Sequence, residues 1–277
     1  MIDLHIHTKY SDGEYNEYEI IEMVKNAGIT EFAICDHNTI EGSKKIYDIL
    51  KKQNSDLIFH SGVELTSRIN GIYGGVNVHI LVRDFNFNEE AILKIINEID
   101  EKNSKRASRM QKLVEEEYEI KISNEEIENM VKTTNCFGKP HMYKLLCKYG
   151  EFDREDYYKR MRKLYSDDLK LDVLNIINTV HKGKGNVFLA HPIEIMDEYK
   201  LSYNDIDKIV CYLKENGLDG LEVYHSKHDK ESIEKFEKIA NKYKLKMSAG
   251  SDYHGPNVKP NVKLGKCMKW GGMINVY

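Results

Sequence analysis

Two histidines two residues apart, His5 and His7, stand in a stretch where Ile2, Leu4 and Ile6 alternate with Asp3, His5 and His7. That is the period of a β-strand, so both imidazoles point to one side and can reach a single metal ion. Neutral imidazole is the commonest side-chain ligand for zinc, iron and manganese-type ions, and Asp12 follows in Ser11-Asp12-Gly13 just past the strand. A lone His-x-His pair occurs often without function, so its weight depends on whether other strands carry matching ligands. They do: His37, Glu64, His79, His191, Asp252 and His254 each lie within or just past a short apolar run. The nine nitrogen and oxygen donors include no cysteine and are too many for one ion. They suit two or three ions of zinc, manganese or iron type that share a carboxylate. Taken singly, His79 reads as a satisfied core histidine and Asp36 or Asp252 as a turn or cap residue, but recurrence at strand after strand does not read that way. His60, His181, His225 and His228 lack such support and read as ordinary polar residues.

The elements that must position these donors alternate. A helix is expected over residues 17–27, ending before Gly28, then a strand over 32–35 that runs into Asp36-His37-Asn38. A helix over 42–52, a strand over 57–63 with Glu64 after it, and a strand over 76–82 carrying His79 complete a βαβαββ pattern, the mark of a largely parallel sheet or barrel. From 88 to 184 glycine is rare and apolar residues recur at three and four, with helices expected near 89–117, 123–132, 140–149, 153–164 and 170–182. This block reads as a helical insertion, leaving 1–87 and 185–277 to form the barrel. Strands resume at 187–190, before His191-Pro192, and at 221–224 and 246–249, with helices over 203–216 and 229–243 between them. About seven strands result. In a closed α/β barrel the strand carboxyl ends share one face, so donors far apart in sequence would converge there.

Composition sets bounds. With 277 residues, 41% hydrophobic and 31% charged at a formal net charge of -4, the chain is long enough for one barrel with an insertion and carries no global field to gather nucleic acid. A local basic face remains: Lys102, Lys105, Arg106, Arg109 and Lys112 recur at three and four along one expected helix. Such a run is usually a solvated face. The five cysteines, Cys35, Cys136, Cys147, Cys211 and Cys267, are scattered and form no Cys-x-x-Cys pair, which argues for a reducing compartment. No signal peptide precedes the first strand and no apolar run is of membrane-spanning length, so the expected place is the cytoplasm, with no membrane association.

The set His5-x-His7, Ser11-Asp12-Gly13, Asp36-His37-Asn38, Gly62-Val63-Glu64, Val78-His79, Ala190-His191-Pro192 and Gly250-Ser251-Asp252-Tyr253-His254-Gly255 resembles the polymerase and histidinol phosphatase (PHP) family over almost the whole chain. The resemblance implies a distorted (βα)7 barrel with a metal cluster at its mouth. By position it implies His5, His7, Glu64 and Asp252 on one ion, Glu64, His79 and His191 on a second, and Asp12, His37 and His254 on a third. Within the family the chain looks most like the stand-alone branch that hydrolyses nucleoside 3′,5′-bisphosphates, some members of which trim RNA 5′ ends. That branch carries a helical insertion with two arginines on its first helix, like Arg106 and Arg109, and a Gly-Arg-Pro-His element that here reads Gly138-Lys139-Pro140-His141. Arg106, Arg109, Lys139 and His141 are therefore the expected substrate-binding residues. Lys139 replaces a planar fork with a point charge, Asn38 stands where aspartate is common, and Ile193 where glycine usually follows His-Pro.

The implied chemistry is hydrolysis of a phosphate monoester. A hydroxide bridging two ions and positioned by Glu64 would attack phosphorus, and His191 or His254 would be candidates to protonate the leaving oxygen. The implied cofactors are two to three divalent ions of manganese, zinc or iron. The implied partner is a small phosphorylated substrate of nucleotide type, or a short RNA, with no obligate protein partner. The rival readings are a histidinol-phosphate phosphatase, a nuclease on longer nucleic acid, a hydrolase of a non-phosphate bond and a non-enzymatic metal-binding module.

Overall fold

The computed structural model describes residues 1–73, 75–133, 137–161 and 170–265. Two compact units emerge, Met1–Ile95 with the chain from Leu171 onward, and Ile96–Lys170.

In the first unit β1 (Ile2–Ile6) pairs in parallel with β2 (Glu31–Ile34). The expected third strand is longer than 57–63 and is interrupted at Ser61. Its first stretch, β3 (Ile58–His60), lies along β2, and its continuation, β4 (Gly62–Ile69), keeps only the His37–Glu64 bridge to that side before pairing with β5 (Val76–Arg83). β6 (Leu171–Asp172) adds to the outer edge of β4. The sheet runs on from β5 through β7 (Asn186–Leu189) and β8 (Gly220–His225) to β9 (Lys246–Gly250). Two seams close the ring. His7 N–H donates to Tyr253 O at 2.9 Å and Asp252 N–H to His5 O at 2.8 Å, while Asn38 N–H donates to Glu64 O at 2.8 Å and Glu64 N–H to Asp36 O at 3.1 Å. With β3 and β4 counted as one run, seven strands form a distorted α/β barrel, as expected. The distortion is β5, which is antiparallel to both neighbours, β4 and β7.

Both seams require glycine. A Cβ on Gly62 would stand 2.5 Å from Ile34 O, and one on Gly250 would stand 2.2 Å from His5 Cβ. Between the seams, β1 departs from simple alternation. Its pairing with β2 shifts register between Asp3 and Ile6, and its apolar residues serve two cores. Leu4 packs with Ala33, Cys35, Leu81, Phe188 and Ala190, whereas Ile6 packs with Ile20, Val24, Phe32, Ile34 and Ile46. The second of these cores lies under α1 (Glu17–Asn26) and α2 (Glu41–Lys52). α1 starts at a reciprocal cap: Asn16 Oδ1 accepts from the N–H groups of Tyr18 and Glu19, and the Glu19 carboxylate accepts from Asn16 N–H.

α3 (Glu90–Tyr118) begins in the first unit and runs into the second, which also holds α4 (Asn124–Thr133), α5 (Lys139–Leu146) and α6 (Arg154–Arg160). This unit has its own core, with Ala107, Met110 and Val114 of α3 against Ile127, Phe137, Met142, Leu146 and Tyr157. The last helix of the expected 88–184 block lies instead with the barrel. β6 pairs with β4, Asp172 caps α7 (Val173–Lys182), and Val173, Ile176, Ile177 and Val180 are buried. One short helix, α8 (Pro192–Tyr199), had no expectation, and α9 (Tyr203–Glu215) and α10 (Lys230–Lys242) match theirs. Cys35, Cys147 and Cys211 are free thiols. Cys136 and Cys267, the end of the expected 153–164 helix and the end of the 185–277 barrel segment lie outside the described residues. Among the described residues no helix is long and apolar enough to cross a membrane.

Candidate metal centre

Two buried acids that sequence reasoning had given no role at the site, Asp36 and Asp3, fasten the loop after β1 and the segment after β9. Asp36 accepts from Thr8 N–H, Thr8 Oγ1 and Ser11 Oγ, each at 2.7 Å. Burial pushes its carboxyl up to about 6, against the charge of His7 and these hydrogen bonds. Asp3, also fully buried, accepts from the N–H groups of Ser251 and Gly265 at 2.8 Å and so ties β1 to the segment after β9.

Glu64 lies at the middle of what these loops surround. Its carboxylate is within reach of five imidazoles: His191 Nε2 at 2.8 Å, His79 Nδ1 at 2.9 Å, His5 Nε2 at 3.1 Å, and His7 Nε2 and His37 Nδ1 at 3.2 Å. His5 Nε2 and His7 Nε2 are themselves 3.0 Å apart. His79 reaches this point from the middle of its strand, because β4 and β5 stay paired beyond Glu64 and place His79 opposite Thr66, two residues further along β4. Asp252 Oδ1 stands 3.3 Å from His7 Nε2 and 3.7 Å from His5 Nε2. Half-exposed Asp12 lies 3.2 Å from His254 Nε2, 3.6 Å from His7 Nδ1 and 3.8 Å from His37 Nε2.

All nine expected donors thus come together, though not divided as the resemblance implied. The ligand atoms converge in three sets: His5, His7, Glu64 and Asp252; His37, Glu64 and His79; and His7, Asp12, His37 and His254. The first set equals the expected one. His37 stands with Glu64 and His79 where His191 was expected, while His191 meets the same carboxylate from the other side. His7 joins the third set as well as the first.

The electrostatics favour a cation. Burial opposes ionisation of Glu64 and Asp252, yet the surrounding imidazoles hold both carboxyls well below the usual range. Burial pulls His37 down to about 3, so it is a neutral donor at neutral pH. Burial also works against a proton on His7, but hydrogen bonds to Asp252 and Glu64 prevail and raise it to about 9. Two carboxylate oxygens cannot satisfy five imidazoles, and Nδ1 of His37 and of His79 are buried with no hydrogen-bond partner among the described residues. Orphaned nitrogens aimed at a shared carboxylate fit divalent transition-metal ions.

Three functional neighbours escaped the sequence reading. Glu222, fully buried in β8, accepts from His5 Nδ1 at 2.9 Å and from His191 N–H at 2.8 Å. The first bond directs the Nδ1 proton of His5 away from the cluster, so that the neutral ring would turn its Nε2 lone pair toward a cation, and the second holds His191 at φ 23, a strained conformation for a non-glycine residue. Burial opposes its charge, but His5, His225 and His191 hold Glu222 down to about 2. A charged residue inside the apolar run Leu221–Tyr224 was the available signal. His225, read as an ordinary polar residue, is buried with Nε2 3.4 Å from Asp252 Oδ2, and His228 behind it is buried too. That correction has a simple cause: His225 is the last residue of β8, at a strand end like those that His7, His37, His191 and Asp252 follow. Lys259, in the loop after β9, bonds Asp252 Oδ2. Burial works against its charge and the Asp252 carboxylate outweighs it, so its pKa lies above the ordinary value.

The expected substrate residues belong to the second unit. Arg106 Nη1 donates to Phe137 O at 3.4 Å, Lys139 O accepts from Tyr157 Oη at 2.8 Å, and His141 Nδ1 accepts from Gly138 N–H at 3.1 Å, capping α5. Lys105, Arg109 and Lys112 on α3 are exposed.

An α/β barrel that gathers imidazoles and carboxylates around one shared glutamate defines a metal-dependent hydrolase. The PHP domain family model matches residues 3–226, and the chain belongs to that family. It is similar to a 5′-3′ exoribonuclease of Haemophilus influenzae, 24% identical with 92% of this chain and 90% of the relative covered. It is 24% identical to a phosphoribosyl 1,2-cyclic phosphate 1,2-diphosphodiesterase of Eggerthella lenta, covering 91% and 94%. A 3′,5′-nucleoside bisphosphate phosphatase of Chromobacterium violaceum is 22% identical, covering 92% and 87%. Among solved structures, a protein of Bifidobacterium adolescentis assigned as a metal-dependent phosphoesterase superimposes with a TM-score of 0.69 at 25% identity, covering 96% and 91%. The chain is a metal-dependent phosphoesterase.

Proposed function

We propose that the protein removes the 3′-phosphate of nucleoside 3′,5′-bisphosphates, giving inorganic phosphate and a nucleoside 5′-monophosphate, with two to three ions of manganese, zinc or iron held by His5, His7, Asp12, His37, Glu64, His79, His191, Asp252 and His254. The observation that carries this reading is the Glu64-centred donor cluster; the second unit, taken by itself, presents a cationic face on α3 that keeps Lys105, Arg109 and Lys112 exposed. The named activity of the Chromobacterium violaceum relative supports it. Bound metal ions would neutralise the phosphate charge and make water nucleophilic near neutral pH. The chain's own part is to orient. Glu64 and Asp252 stay ionised among the imidazoles, and Glu222 fixes the tautomer of His5. Arg106, Arg109, Lys139 and His141 are assigned to the 5′-phosphate, whose binding energy serves to position the reacting group.

The test is phosphate release by the manganese-loaded protein from adenosine 3′,5′-bisphosphate, histidinol phosphate and a short 5′-phosphorylated RNA. The bisphosphate is expected to turn over best. Arg109→Ala should lose about ten- to a hundredfold in kcat/KM on it, the worth of one charged hydrogen bond, while changing little on a 3′-monophosphate. Turnover of histidinol phosphate alone, or of RNA alone as the name of the Haemophilus influenzae relative suggests, would replace the substrate and leave the phosphoesterase in place.

A further inference from the structure

The loop that follows β9 carries an ammonium group into the donor cluster. Its frame is built from the neighbouring loop after β1, across the β1–β9 seam. The Glu14 carboxylate accepts from Asn257 N–H at 2.5 Å, Val258 N–H at 3.0 Å and Asn257 Nδ2 at 3.1 Å. Glu14 N–H donates to His254 O and Lys259 N–H to Gly255 O, both at 2.9 Å. Gly255 takes φ +103, and a Cβ there would lie 2.6 Å from Glu14 Cδ, so the turn admits glycine and little else. This frame points the Lys259 side chain at Asp252 and leaves it 27% exposed.

The two oxygens of Asp252 divide their neighbours. Oδ1 faces the imidazoles of His7, His254 and His5, the direction from which the first donor set would hold a cation. Oδ2 faces Lys259 and, at 3.4 Å, His225. An ammonium offers three N–H donors, and Asp252 occupies one of them. Among the described residues no second acceptor meets Lys259 Nζ. A carboxylate and a phosphate space their oxygens similarly. A phosphate bound through one oxygen to a cation held by the Asp252-centred donors would offer its remaining oxygens to the ammonium beside the same carboxylate.

We propose that Lys259 binds an oxygen of the reacting phosphate group, a substrate contact supplied by the barrel itself and separate from the cations of the second unit. The proposal rests on the phosphoesterase reading and not on which ester is the substrate. A lysine that served only as counter-ion to Asp252 would act on the metal-binding donors instead, and the two roles separate experimentally.

The experiment compares wild type, Lys259→Met and Lys259→Arg as full-length, manganese-loaded protein. Bound metal is read by elemental analysis, inorganic phosphate binding by calorimetry, and kcat/KM on the best ester. Inorganic phosphate isolates the reacting group from every other part of a substrate. Lys259→Met should keep the wild-type metal content, bind phosphate about ten- to a hundredfold more weakly and lose kcat/KM by a similar factor, with partial recovery in Lys259→Arg. The proposal is overturned by phosphate affinity in Lys259→Met within about twofold of wild type, less than any charged hydrogen bond is worth. Loss of metal together with phosphate binding overturns it too, as does a metal-loaded wild type that binds no phosphate. If wild type binds phosphate but leaves the bisphosphate intact, the substrate assignment fails while the phosphate measurement still decides the role of Lys259.

Discussion

Glu222 shows how much one buried side chain decides. Both of its oxygens are committed, one to His5 Nδ1–H and one to the backbone N–H of His191, so a single carboxylate orients two candidate ligands on different strands. Glutamine has nearly the same shape but only one acceptor oxygen, and its amide group would face the second donor. Glu222→Gln is therefore expected to fold and to bind manganese about ten- to a hundredfold more weakly, the usual cost of losing such an orienting partner. Competition against a chelating indicator reads this directly. An affinity equal to wild type would show that the His5 tautomer needs no such anchor.

At the scale of elements, the break at Ser61 separates the part of the run that pairs with β2 from the part that pairs with β5, and His60 sits at that break. Its imidazole bridges Asp84 Oδ1 at 2.6 Å and Glu31 Oε1 at 2.9 Å, linking the end of β5 to β2, and neither partner is one of the nine candidate ligands. The hydrogen bond to Asp84 outweighs burial and raises the His60 pKa above the ordinary 6.5. A raised histidine pKa means that the folded state holds the proton more tightly than the unfolded chain. The resulting stability is fully present below the unfolded value and fades as pH rises through the folded one. The difference in Tm between wild type and His60→Gln should accordingly be largest below the unfolded value of 6.5 and shrink as pH rises through the higher folded value. A difference that stayed constant or grew with pH would contradict the bridge as a charged one.

The whole molecule consists of two units with separate cores, which predicts separable stabilities. Tyr157 is fully buried in the second, packed near Tyr143 and Tyr158, with its hydroxyl donating to Lys139 O. Truncating such an aromatic costs about 3 to 5 kcal/mol. Tyr157→Ala should therefore lower the protection of α4, α5 and α6 against amide hydrogen exchange while β1, β4 and β9 keep theirs, with manganese still bound. Exchange that rose equally in both units would mean that the chain unfolds as one cooperative body.

The sequence by itself carried what depends on local periodicity and on donor chemistry. The strand character of β1, the helix α1 ending before Gly28, the three-and-four spacing of α3 and the placing of imidazoles and carboxylates at successive strands were all legible, because each is set by residues a few positions apart. So were the barrel class and the nine donors that the structure brings to one place. Only the tertiary structure decided which groups meet. His5 and Glu222 are 217 positions apart, and no spacing rule links them until the β1–β9 seam and the β8–β9 pairing set their strands on either side of β9. The same holds for His225 and Lys259 at Asp252, for the β4–β5 register that sets a mid-strand His79 opposite Thr66 and beside Glu64, and for the register shift in β1, whose Leu4 and Ile6 lie in different cores. The physical reason is common to all of them. Side-chain direction along a strand is a local property, but the identity of the neighbour across a closed ring depends on sheet order, register and the close approach that Gly62 and Gly250 allow at its seams.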